Sequence, residues 1–97
     1  MSRRAAKVDA NQPSIVAAFR AMGASVRPMH AVGEGFLDLV VGYRGVNLIV
    51  EVKDGDKPPS ARKLTKPQEE FFREWRGQAC VVKNVEEAAA LLMGVKP

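Results

Sequence analysis

The chain has 97 residues, 46% of them apolar and 27% charged, the mixture of a folded domain rather than a disordered chain, and that length leaves room for one compact domain. A single cysteine and a single histidine exclude an intramolecular disulfide and any zinc site built from several such ligands, so a bound metal would have to be held by oxygen. Lys and Arg total 15 against 11 Asp and Glu, a net charge of +4 that favours a polyanionic partner, and the absence of a long apolar run or a signal-peptide pattern leads us to expect a cytoplasmic protein.

Residues 1–10 are polar and basic, with Arg3, Arg4 and Lys7, and read as a flexible tail ahead of a single domain over 11–97. From Asn11, a good N-cap, the spacing of Ile15, Val16, Phe19 and Met22 predicts a helix that Gly23 ends. A short extended stretch follows within 24–30, where Pro28 suits an edge strand. Two β-rich runs, Phe36 to Val41 and Val46 to Lys53, flank Gly42, Tyr43, Arg44 and Gly45 and predict a hairpin. The segment DGDKPPSARKL over 54–64 combines turn formers, prolines and basic residues and reads as an exposed loop. Thr65 and Gln68 have capping-box spacing ahead of Phe71, Phe72 and Trp75, a helical apolar stripe that reads as core, with Trp75 the member closest to a surface. Ala79 to Lys83 predicts a short buried strand containing Cys80. Asn84 and Glu87 open a last helix whose Val85, Ala88, Ala89 and Leu92 are expected to face inward. The order is α, β, β, β, α, β, α, an α/β fold.

With Arg44 and Gly45 as a two-residue turn, Tyr43 faces Val46 and, counting outward, Asp38 faces Glu51. Directly opposed side chains share one face of a sheet with Cβ atoms about 4.5–5.5 Å apart, where like charges repel. Lys53 emerges two residues on, on the same face. Two carboxylates and an amine thus converge, and a hard divalent cation such as Mg²⁺ relieves the repulsion. Such a cation activates water and the ammonium offsets charge on a phosphoryl oxygen, so the chemistry suggested is phosphodiester hydrolysis. On the bland reading, the three residues are merely charges on the wet face of a hairpin. Gln68 has a bland reading too, as the reciprocal partner of Thr65.

An acid, a hairpin turn and Glu-x-Lys inside this element order resemble the PD-(D/E)XK nuclease superfamily. Within it the sequence is most similar to the small virus-type replication-repair nucleases (the VRR-NUC family), which share an architecture with archaeal Holliday junction resolvases. The residues that carry the resemblance are Gly35, Asp38 and Leu39 in GFLDLVVG, Glu51, Val52 and Lys53 in EVKDG, and Gln68 in LTKPQEEFFREW. It implies a restriction-endonuclease-like core with a mixed central sheet, in the order αβββαβ with a C-terminal helix. Asp38, Glu51 and the Val52 carbonyl would be metal ligands for Mg²⁺ or Mn²⁺, Lys53 the catalytic lysine, and Gln68 the site glutamine of the second core helix. The implied activity is a metal-dependent endonuclease on branched or structured DNA, in phage recombination or repair, acting as a homodimer. Lys57, Arg62, Lys63 and Lys66, placed just after Lys53, are expected to track a phosphate backbone.

The sequence departs from the family pattern at two places. Leu37 stands where the superfamily often has proline before the first acid, and Ser14 stands where a first-helix glutamate is expected, with Asp9 and Gln12 nearby as replacements. The second departure motivates a rival reading, a catalytically weak DNA-binding module that retains the nuclease fold; a third is a subunit working only with a partner helicase or replication protein.

Overall fold

The computed structural model describes residues 8–96. Most of the basic tail expected over 1–10 therefore lies outside the described residues. Helix α1 (Gln12–Ala21) leads into strand β1 (Ser25–Pro28), followed by the hairpin of β2 (Leu39–Tyr43) and β3 (Val46–Val52). A 3₁₀ turn at Pro59–Ala61 interrupts the basic loop before helix α2 (Lys66–Glu74), strand β4 (Ala79–Val82) and helix α3 (Val85–Met93). The four strands form one sheet in the order β1-β2-β3-β4. β1, β2 and β3 pair antiparallel and β3 pairs parallel with β4, the mixed sheet expected, with Pro28 on the edge strand.

Alternation along the strands sorts the two faces. Leu39 and Val41 of β2, Leu48, Val50 and Val52 of β3, and Val82 of β4 join Ile15 and Phe19 of α1 and Ala88 and Leu92 of α3 in one core cluster. α1 and α3 also touch each other, so this face carries the apolar layer that holds the domain together. Glu51, between Val50 and Val52, necessarily projects to the opposite face, where α2 lies.

The hairpin register pairs Leu39 with Val50 and Tyr43 with Val46, as the two-residue turn requires. Arg44 takes φ 53° and Gly45 φ 80°, the pair of positive values that a type I′ turn needs. β2 begins three residues later than the sequence suggests: Phe36, Leu37 and Asp38 precede the ladder, and the hydrogen bond from Met29 N–H to the Asp38 carbonyl (2.7 Å) continues the β1 edge there.

Three expectations need correction. α2 contains no buried residue. Phe71 and Phe72 are only half-buried, because the stripe packs on itself and on Phe36 (Phe71–Trp75 centroids 4.9 Å, Phe36–Phe71 5.5 Å) rather than entering the main core; Trp75, 44% exposed, is the member at the surface, as expected. β4 is an edge strand with only Val82 fully buried and Val81 37% exposed. Cys80 is half-buried and burial raises its thiol to about 11, so it remains a protonated, inert side chain at neutral pH. In α3, Val85 is exposed while Ala88 and Leu92 are buried. No helix among the described residues is long and apolar enough to cross a membrane.

Candidate active site

The register places Asp38 opposite Glu51 at the end of the β2–β3 ladder, and both are buried, at 8% and 3% exposure. Asp38 Oδ2 accepts a 2.8 Å hydrogen bond from the Val52 N–H, which ties the first acid to the backbone between the second acid and the lysine. Lys53 Nζ stands 3.4 Å from Glu51 Oε2. Gln68 closes the group: its Nε2 donates to Glu51 Oε2 at 2.9 Å and its Oε1 accepts from Lys53 Nζ at 2.9 Å.

Gln68 does this while also completing the capping box of α2. Its Oε1 accepts from the Thr65 N–H (2.9 Å), and its own N–H donates to Thr65 Oγ1 (3.3 Å). The structural and site roles of Gln68 therefore coexist in one side chain. Two donors converge on Oε1, which fixes the amide orientation and aims Nε2 at Glu51. Gly33, Glu34 and Gly35, all at positive φ (71°, 58° and 78°), reverse the chain ahead of Asp38. A Cβ at Gly35 would lie 2.8 Å from the Pro67 side chain, so glycine at 35 is what lets the first turn of α2 approach the acids.

These residues line a cleft of about 400 Å³ together with Asp9, Glu34, Phe36, Thr65 and Pro67. Burial is the main cause that raises both carboxyls. Glu51 is pushed up to about 8 by desolvation and then by the charge of Asp38, partly offset by Lys53. Asp38 is raised by desolvation, and the Val52 N–H and the hydrogen bond with Glu51 pull it back. At neutral pH the pair therefore holds a proton, carried chiefly by Glu51 and shared with Asp38.

Glu51 Oε1 is buried and no N–H or hydroxyl of the protein reaches it, so only the proton shared with Asp38, or a cation taking that proton's place, satisfies it. A carboxylate oxygen without a protein donor beside a second buried carboxylate suits a hard divalent cation, and the donor set is oxygen throughout. Asp38 and Glu51 are the carboxyls of the cleft that would hold it. No cluster of three or more His, Cys, Asp or Glu occurs among the described residues, so waters and substrate oxygens would complete the coordination.

Asp9, two residues ahead of Asn11, lines the cleft and its charge acts on Asp38. It is the candidate replacement for the missing first-helix glutamate that reaches the site. Gln12 is 4% exposed, with Oε1 unpartnered, but does not line the cleft. Ser14 is exposed and lines a separate cavity with Asp54, Asp56 and Lys83.

Of the basic residues, Lys57 pairs with Asp9 at 3.5 Å, and Arg62 Nε donates to the Lys57 carbonyl at 2.8 Å, so these two brace the loop against the cleft. Lys63 and Lys66 are exposed on the approach to α2 and form no ion pair among the described residues. Sequence reasoning gives no site role to Asn11, Thr65 or Glu34, although the capping-box spacing does signal where Thr65 sits.

Comparison with solved structures finds a chain described as "VRR_NUC domain", 31% identical, covering 88% of this chain and 92% of that one, with a TM-score of 0.60. The protein belongs to the VRR_NUC domain family. No family model and no curated protein matches the sequence. Membership rests on fold and identity together, and supports a nuclease-type function in general for this VRR_NUC domain.

Proposed function

We propose that the protein is a metal-dependent endonuclease that hydrolyses DNA phosphodiester bonds on branched or structured DNA. The observation that carries this reading is the closed network of Asp38, Glu51, Lys53 and Gln68 on a cleft whose Asp9 pairs with Lys57 of the basic loop. A structural ion pair would have no need of two buried carboxylates, which repel unless a proton or a cation lies between them.

In this mechanism Asp38 and Glu51, with the Val52 carbonyl, would hold Mg²⁺ or Mn²⁺, and the proton carried by Glu51 would have to leave for the carboxylate to serve as a ligand. The bound cation supplies Lewis-acid polarisation of the scissile phosphoryl oxygen and a lowered pKa for water. Lys53, fixed between Gln68 Oε1 and Glu51 Oε2, directs its remaining N–H toward the cleft, where it orients the attacking water and opposes charge growing on a phosphoryl oxygen. Gln68 holds both groups in place. Lys63 and Lys66 meet the phosphate backbone, and Lys57 and Arg62 shape the loop that presents them. The exposed Trp75 and Val81, both on the α2 side of the sheet, support a homodimer formed through that side.

The second reading is a DNA-binding module that keeps the fold. It is favoured by the exposure of Ser14 outside the cleft, which leaves the site without a helix-borne carboxylate. Cleavage of a four-way junction and of a linear duplex, in Mg²⁺ and in EDTA, separates the two readings. The nuclease reading expects junction cutting that EDTA stops and Asp38→Asn abolishes without loss of DNA binding. Binding with no cutting by the wild type in Mg²⁺ or Mn²⁺ would establish the second reading.

A further inference from the structure

Asn11 precedes α1 at the N-cap, yet its side chain makes no cap hydrogen bond. Its Nδ2 instead donates to the Lys53 carbonyl and to the Lys83 carbonyl, each at 3.0 Å, across 42 and 72 residues of sequence. Both acceptors lie one residue beyond the parallel ladder of β3 and β4, which ends at the Val52–Val82 pair. The same junction carries Lys53 N–H to the Val82 carbonyl (3.0 Å) and Gly55 N–H to the Lys83 carbonyl (3.1 Å). A Cβ at Gly55 would lie 3.0 Å from that Lys83 oxygen.

From these contacts we infer that Asn11 is a positioning residue of the site, a clamp that fixes the backbone of Lys53 from behind; this rests on the nuclease reading above. Lys53 is held at its N–H by β4 and at its carbonyl by Asn11, so the direction in which its side chain leaves the backbone is set. That direction is what brings Nζ to Gln68 and Glu51. The orientation of the amide follows from its partners, because two carbonyl oxygens require the nitrogen. Asn11 Oδ1 is left buried and unpartnered in consequence, a cost that a residue serving only as a helix cap would not incur. The clamp also anchors the segment carrying Asp9, whose carbonyl accepts from Gln12 N–H at 3.0 Å, and thereby holds Asp9 on the cleft.

Serine and aspartate are N-caps as good as asparagine but lack the two amide hydrogens. Asn11→Ser and Asn11→Asp therefore separate a clamp from a cap. The expected result is a fall of roughly tenfold or more in kcat on junction DNA with KM within about twofold, since the clamp acts on Lys53 rather than on the groups that meet the DNA. Hydrogen exchange gives a second readout: the Lys53 and Gly55 amides should exchange roughly tenfold faster, while Val41 in the middle of β2 is unchanged. Wild-type kcat together with unchanged exchange at Lys53 and Gly55 would overturn the inference, as would uniformly faster exchange at all three amides, which marks a general loss of stability. If the wild-type protein cuts no DNA, the nuclease reading fails, and the exchange comparison alone decides whether Asn11 clamps the strands.

Discussion

Replacing Glu51 with glutamine should stabilise the metal-free protein, an unusual outcome for a buried position. Glu51 is 3% exposed and its carboxyl is pushed from an ordinary value of 4.5 up to about 8, mainly by desolvation and then by Asp38. Between these values the folded chain retains a proton that the unfolded chain releases, so stability falls as pH rises through that window and levels off above it. At about pH 7 the folded state bears a penalty of ~2.5 pK units at 1.36 kcal/mol each, about 3 kcal/mol. Glutamine carries no such penalty and can still bond to Gln68 and Asp38. In EDTA, Glu51→Gln should raise Tm by roughly 10–20 °C near pH 7 for a domain of this size, and by much less near pH 5, where the penalty is below ~1 kcal/mol. Thermal melts by circular dichroism at both pH values test this. A variant that is less stable than wild type near pH 7, or an advantage that does not shrink near pH 5, would refute the assignment of a buried, protonated Glu51.

The same proton links metal binding to pH: below about pH 8 the apparent Mg²⁺ affinity should drop roughly tenfold per pH unit, with close to one proton released per site, read by calorimetry in buffers of different ionisation enthalpy. Gly35→Ala should lower stability by about 1 kcal/mol or more and slow cleavage, because φ 78° and the 2.8 Å approach to Pro67 together force α2 away from the acids; urea titration and a cleavage assay check both. Neutralising Lys63 or Lys66 should weaken DNA binding across sequences and reduce the slope of log K against log salt by roughly 0.9 for each phosphate no longer neutralised, with Mg²⁺ affinity unchanged.

The hairpin was legible because the turn chemistry of Arg44 and Gly45 sets the register, and the register alone brings Asp38 to Glu51 and puts Lys53 on their face. The Thr65–Gln68 spacing located the start of α2 for the same reason: a cap is a local hydrogen bond, and local bonds leave a mark in sequence. Asn11 shows the limit of that reasoning. Its residue type announces a cap, while its partners are carbonyls 42 and 72 residues away, and nothing in the spacing encodes them. The aromatic stripe of α2 has the periodicity of a core helix, but periodicity reports which residues share a face and not how much covers it. Asp9 lies in a segment with no pattern to read, and only the folded structure shows that it lines the cleft. Family membership rests on the structural match; the assignment of roles to individual side chains rests on their geometry.

The central claim is that these buried groups form a metal-dependent DNA-cleaving site, and the cleavage rate of Lys53→Ala on junction DNA, at saturating DNA and Mg²⁺, tests it most directly. Lys53 is bonded to Gln68 and adjacent to Glu51 but is not among the groups assigned to hold the metal, so its removal should leave metal and DNA bound while the rate falls by roughly 100-fold or more. Cleavage at the wild-type rate would contradict the account, leaving Lys53 a structural partner of Glu51 and Gln68 and the network a structural feature of the sheet.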